Sequence, residues 1–217
     1  MLVVVGGHTR NIGKTSVICS IIRSTRRLAW TAIKITQYGH GVCSNDGEDC
    51  ACALPDHPYA LQQELNATTG TDTSRFLAAG ARRSFWARTA AGNLGEAVPA
   101  LRRIWESSEN AIVESNSILR FVKPDLYLTV LDFGVEDFKD SSRRYLDRAD
   151  AVVVVSEGEP VWRDVAASLW RNKPAFPVSP PDYFHPDLAG LIAASLSRGR
   201  TARSGASPPE TIKQPKD

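Results

Sequence analysis

At 217 residues, with 42% hydrophobic and 23% charged residues, the chain has the make-up of one globular α/β domain with a sizeable core. The formal charge of +2 sits in the tail: from Arg198 onward there are five Lys/Arg against two Asp/Glu, which leaves 21 against 22 in residues 1–197. That balance gives no reason to expect a nucleic-acid partner, no apolar run approaches bilayer length, and Leu2 enters a strand without a leader, so a cytoplasmic protein without a membrane partner is expected.

From the N-terminus, apolar runs alternate with helical patterns. Leu2–Gly6 (LVVVG) reads as a buried strand, followed by a loop and a helix over 14–26. A second strand ends near Thr36. Residues 37–58 hold glycines, prolines, acids and three cysteines without any period, and are expected to form a long loop inserted in the domain. Helices are predicted over 59–66 and 72–79, a strand over 83–89, and an amphipathic helix over 94–106 with Pro99 as a candidate for its true start. NAIVES (110–115), LYLTVLD (126–132) and AVVVVS (151–156) are almost wholly apolar, as strands buried on both faces are. An edge strand over 175–179 and a helix over 187–197 complete a domain of residues 1–197, and 198–217 is expected to be a disordered tail. The alternation predicts a doubly wound, mostly parallel α/β sheet flanked by helices; with a glycine loop leading into Gly13-Lys14-Thr15, the expected arrangement is that of a P-loop NTPase.

The strongest chemical signal is VVVGGHTRNIGKTS (3–16): a strand, glycines, a loop, and Gly13-Lys14-Thr15 opening a helix. Glycines let the backbone approach phosphate oxygens, and the N–H groups at a helix N-terminus attract the anion. Gly7, Asn11, Ile12, Gly13, Lys14, Thr15 and Ser16 are the predicted nucleotide-binding set. Lys14 is expected to reach the outer phosphates, and the Thr15 hydroxyl to ligate Mg²⁺. The standard pattern has four residues between its glycines; Gly7 and Gly13 are separated by five, and His8 stands where the first glycine would be. Such a site also needs an acid at the end of another buried strand. Glu114 is the first candidate, for Mg²⁺ or water, and Asp132 the second.

GHTRNIGKT (7–15) has the length and endpoints of the phosphate loop of dethiobiotin synthetases. The chain more broadly resembles the small nucleotide-binding proteins of molybdopterin-guanine dinucleotide biosynthesis, the MobB-like group. Three stretches carry the resemblance: AIKITQYGHG (32–41), TDTSRFLAAGA (71–81) and AIVES (111–115). It implies that Lys14 and Thr15 bind nucleotide and Mg²⁺, and that Lys34, Asp72 and Arg75 line the site. The sequence departs from that family at Ile35, where a histidine is usual, at Ser115, where a glycine is usual, and in the cysteine-bearing insertion. Asn172-Lys173-Pro174 is faintly similar to an Asn-Lys-x-Asp guanine reader but lacks its aspartate, and reads better as a polar turn ended by proline, so ATP and GTP are both open.

The inserted loop carries His40, Cys43, Cys50, Cys52 and His57. Thiolates and imidazoles at this density suit Zn²⁺ or an iron–sulfur cluster, held within one chain or shared across a homodimer. The other reading is a surface loop of free thiols. Cys19, among Val17, Ile18, Ile21 and Ile22, is expected to pack in the core, as are the five tryptophans.

These signals together predict a Mg²⁺-dependent nucleotide-binding protein or NTPase that assists cofactor or metal-centre maturation with a protein partner. Lys14 and Glu114 are its predicted catalytic residues, with Lys34 beside them. Two alternatives stand: an ATP-dependent ligase or small-molecule kinase like dethiobiotin synthetase, and a non-catalytic metal-binding module with structural nucleotide.

Overall fold

The apolar runs that read as doubly buried strands form the middle of one sheet. The computed structural model describes residues 1–38, 58–156 and 158–204. Its strands are β1 (Leu2–Gly7), β2 (Trp30–Tyr38), β3 (Tyr59–Glu64), β4 (Arg83–Ala90), β5 (Asn110–Glu114), β6 (Leu126–Leu131), β7 (Ala151–Val154) and β8 (Ala175–Pro177). They form an eight-stranded sheet in the order β3-β4-β2-β5-β1-β6-β7-β8. Every pairing is parallel except that of β3 with β4. The chain is thus a doubly wound, mostly parallel α/β sheet, as its sequence pattern requires.

Helices cover both faces. On one, α1 (Lys14–Ser24), α2 (Asp72–Ala79) and α5 (Pro186–Ser204) pack over alternate residues of the central strands. Val17, Ile18, Ile21 and Ile22 of α1, Phe76 of α2 and Ile192 of α5 share a cluster with Val3, Val5, Ala32 and Ile112. On the other face α3 (Leu94–Glu106) supplies Leu94, Ala97 and Leu101 against Val4, Ile33 and Val113. The short α4 (Asp140–Arg143) follows β6. Among the described residues no helix is long and apolar enough to cross a membrane.

Four expectations change. Residues 59–66 were expected to be helical; instead Tyr59–Glu64 is an antiparallel edge strand on β4. Local propensity favours a helix for YALQQE, but the open edge of β4 supplies a ladder of backbone partners that decides the matter. Gln37 and Tyr38 belong to β2, paired with Thr89 and Ala90, and not to the loop. Pro99 lies inside α3, which begins at Leu94; the proline only deprives the Gly95 carbonyl of its helical donor. Helix α5 runs on to Ser204, past the Ser197 boundary expected for the domain and into the segment read as tail. Residues 205–217 lie outside the described residues, as does most of the inserted loop.

Candidate functional site

The turn from β1 into α1 is shaped by two glycines and an asparagine. A Cβ at Gly6 would come 2.1 Å from Asn116 Oδ1 and 2.9 Å from the Tyr127 hydroxyl oxygen. That clearance lets the Asn116 carboxamide clasp the next peptide: Gly7 N–H donates to its Oδ1 at 2.9 Å, and its Nδ2 donates to Gly7 O at 2.8 Å. Farther on, Asn11 (φ 56°) and Gly13 (φ 84°) adopt left-handed conformations, and Tyr183 packs over Gly13 so closely that a Cβ there would lie 2.4 Å from its ring. Among the described residues, no N–H from Thr9 to Ser16 has a hydrogen-bond acceptor; the first intrahelical bond is Val17 N–H to Gly13 O at 2.9 Å. Helix α1 has no side-chain cap and no acid in its first turn, so its positive end is open.

Opposite that end lies a carboxylate–lysine cluster set by strand register. Lys34 on β2 and Glu114 on β5 are direct cross-strand partners, on the sheet face that α1 and α2 cover. The Lys34 ammonium lies 2.6 Å from Glu114 Oε1 and 2.7 Å from Asp72 Oδ2 at the start of α2. Thr15 donates to the other Glu114 oxygen at 2.8 Å. Arg75, one turn into α2, donates to Ser16 Oγ at 2.8 Å. Burial pulls the Lys34 ammonium down, but Glu114 and then Asp72 outweigh it and hold the pKa above its ordinary value. For Asp72, burial is likewise overcome by Lys34, and the carboxyl stays below its usual range.

Lys14 is less well compensated. Its ammonium folds back onto Thr9 O at 2.5 Å. Burial, only partly offset by Glu114 and reinforced by the charges of Lys34 and Lys139, lowers its pKa from 10.5 to about 8. These groups open into a cavity of about 890 Å³, within the range of cofactor sites. Thr15 and Glu114 present hard oxygen donors side by side, the donor type Mg²⁺ takes, so the residues present fit that ion.

The structure brings together most of the sequence-predicted set: Gly7, Asn11, Gly13, Lys14, Thr15, Ser16, Lys34, Asp72, Arg75 and Glu114 all border the cavity. Ile12 differs, since its side chain is buried in the α1-side core and only its backbone serves the loop. Asp132 takes no part; its carboxylate accepts from Ser156 Oγ at 2.5 Å and from Gly134 N–H at 3.0 Å. Lys173 donates to the carbonyls of Asp147 and Ala149, each at 2.7 Å, and closes a turn. Cys19 is buried, as expected. His40, Cys43, Cys50, Cys52 and His57 lie outside the described residues, and among those described no three His, Cys, Asp or Glu side chains converge as a metal site would.

Cavity residues that sequence reasoning did not assign to the site include Trp86, Lys139 and Tyr183. Trp86 was expected to be core. It is in register with Lys34 on the neighbouring strand and reaches the same rim, with its indole N–H on Thr36 Oγ1 at 3.0 Å. Asn116 was signalled by its place in the polar turn after β5; Lys139 and Tyr183 carried no motif.

The fold is thus a doubly wound, mostly parallel α/β sheet with a glycine-bearing turn between β1 and α1 at the cavity. No family model matches the chain, and no curated protein matches it. Among solved structures, HypB from Helicobacter pylori in complex with nickel is similar over 97% of this chain and 91% of that one, at 13% identity and a TM-score of 0.44.

Glu114 is the hinge of the cluster's charge balance. Replacing it by alanine removes one of the two carboxylates on Lys34 and the acceptor of Thr15, so the Glu114→Ala variant is expected to lose about 3 kcal/mol of stability. Denaturant unfolding at pH 7 checks this, and a variant as stable as the parent would show the pair to be uncoupled from folding.

Proposed function

We propose that this chain is a Mg²⁺-dependent nucleotide-binding protein that hydrolyses a nucleoside triphosphate. The observation that carries the reading is the run of N–H groups from Thr9 to Ser16, all without acceptors, at the uncapped end of α1. Such a run is an anion cradle, and a lysine folded across it suits the outer phosphates of a nucleotide. Lys14 and the amides of Asn11–Thr15 hold the β- and γ-phosphates, while Thr15 and Glu114 hold the metal ion, which neutralises phosphate charge when bound. Lys34 holds Glu114 in place through their ion pair. Hydrolysis then rests on positioning and electrostatics, completed by a protein partner or a second copy of the chain.

The finer reading is service to cofactor or metal-centre maturation, as in the MobB-like group. It is supported by the three stretches of sequence resemblance and by Cys43, Cys50, Cys52, His40 and His57. A second reading, transfer of the terminal phosphoryl group to a carboxylate or hydroxyl substrate, draws support from one feature. The cavity continues over Gln37, Ser117 and Ser141 into an adjoining hollow of about 210 Å³. Turnover that starts only on adding such a substrate favours it over simple hydrolysis.

Lys14→Ala is expected to abolish nucleotide binding while leaving thermal unfolding cooperative; unchanged affinity for both ATP and GTP by calorimetry removes the mechanism. Lys14 also predicts a linked proton. In the free protein its pKa of about 8 leaves it partly neutral at pH 8.5, whereas a bound polyphosphate favours the ammonium. Binding at pH 8.5 therefore takes up protons, and affinity weakens as pH rises through about 8. Calorimetry in two buffers of different ionisation heat reads this directly, and proton release would contradict it. For the metal, elemental analysis and an absorption spectrum of anaerobically purified protein should find stoichiometric zinc, or iron with a cluster band; neither one leaves the thiols without that role.

A further inference from the structure

The segment after β6 is lashed to the phosphate loop at three points. The His8 imidazole, with Nδ1 as its donor, reaches Asp137 O at 2.9 Å. The Thr9 hydroxyl donates to the Asp137 carboxylate. Lys139 N–H donates to His8 O at 2.9 Å. Behind these bonds the His8 ring is wholly buried, stacked on Trp162 at 5.3 Å and against Phe138 at 5.1 Å. His8 therefore works as an anchor, and what it anchors at the mouth of the loop is Lys139.

Lys139 lines the main cavity together with Thr9, Arg10 and Lys14. Among the described residues no carboxylate pairs with its ammonium, whereas Lys34 has two. Of the acids nearest to it in the chain, Asp140 forms no ion pair with it, and Asp137, bonded by Thr9, offsets its charge only in part. The Lys139 ammonium is held below its ordinary pKa by burial first and by Arg10 next. A cation half-withdrawn from water beside another cation lacks its counter-charge, and an anion between them would supply it. Its place along the loop says which part of a ligand it meets. Lys14 reaches the outer phosphates, and its ammonium sits at Thr9; Lys139 is fixed to the residue before Thr9, at that same end. The opposite end, toward Ser16, is attended by Arg75.

We propose that Lys139 is a second phosphate-contacting cation, delivered to the loop by His8, which grips the outermost phosphate of a nucleoside triphosphate and separates it from the diphosphate. This rests on the nucleotide-binding reading above. The test titrates Mg²⁺ complexes of non-hydrolysable triphosphate analogues, and of the diphosphates, of adenosine and guanosine against the full chain, Lys139→Gln and Lys139→Arg. For the nucleotide that binds, Lys139→Gln should raise the triphosphate Kd by roughly tenfold or more, the effect of losing a charged hydrogen bond, and move the diphosphate Kd by less than about twofold. Lys139→Arg should keep the triphosphate preference. Retained diphosphate affinity is itself the folding control. A glutamine variant with an unchanged preference, or one that weakens both nucleotides equally, overturns the assignment. A parent chain that binds neither nucleotide sinks the nucleotide reading and this inference together, a result distinct from the first two.

Discussion

A backbone that turns a run of amides toward a cavity leaves them without partners, and the rest of this molecule is arranged around that condition. Unpaired N–H groups are tolerable only where water or a ligand can reach them. The loop from Thr9 to Ser16 meets that requirement at the carboxyl edge of the sheet, where β1 ends between β5 and β6. Rigidity comes from outside the loop. The Asn116 carboxamide fixes both the N–H and the carbonyl of Gly7, and the left-handed Asn11 and Gly13 keep the amides from folding back into helical bonds. A parallel sheet places its strand ends and helix starts at one edge, so the open end of α1 and the end of β5 meet there without any special connection, whereas α2 follows the antiparallel β3 and its Asp72 is tied in by Lys34.

The charges at that edge are unequally balanced, and the inequality has chemical meaning. Lys34 is satisfied twice, by Glu114 and Asp72, so it behaves as a structural cation that keeps Glu114 in position beside Thr15. Lys14 and Lys139 lack such partners, and burial lowers the pKa of each. A site with fixed acids on one side and under-compensated cations on the other suits a ligand that is itself polyanionic and carries a metal ion. In the proposed function the polyanion would meet the lysines, and the ion the hard oxygens of Thr15 and Glu114. One carboxylate shared between Lys34 and Thr15 also explains why Glu114 is tied to the cavity's geometry, where Asp132, at the end of β6, is spent on its own turn.

Much of this was legible in the sequence because it is local or periodic. A strand, a glycine turn and a helix N-terminus occupy adjacent residues, so the turn from β1 into α1 could be read directly, and apolar runs gave the central strands. Glu114 was legible as an acid closing an apolar strand. Its bond to Lys34 was not, because it depends on β2 and β5 being neighbours in register, and β4 on the far side of β2 fixes Trp86 in the same row. The YALQQE segment misled for a related reason: its residues favour a helix, and only the edge of β4 makes it a strand. Tyr183 and Lys139 reach the site from distant loops that have no pattern of their own. Their placement is a tertiary fact, carried by contacts with Gly13 and His8.

His8 turns the one irregularity of the loop into a structural device. A loop with four residues between its glycines would have a glycine there, with nothing to offer beyond its peptide. Here the side chain fills an aromatic pocket made by Phe138 and Trp162, its Nδ1 binds the Asp137 carbonyl, and its own carbonyl receives Lys139. Burial holds the imidazole neutral by lowering its pKa, against the pull of the Asp137 carbonyl, so the anchor carries no charge that would compete for an anion at the mouth of the loop. Lengthening the loop by one residue thus couples it to the segment after β6. Any motion of that segment must break the His8 stack or carry the loop with it, and a cation from distant sequence keeps a fixed relation to Lys14.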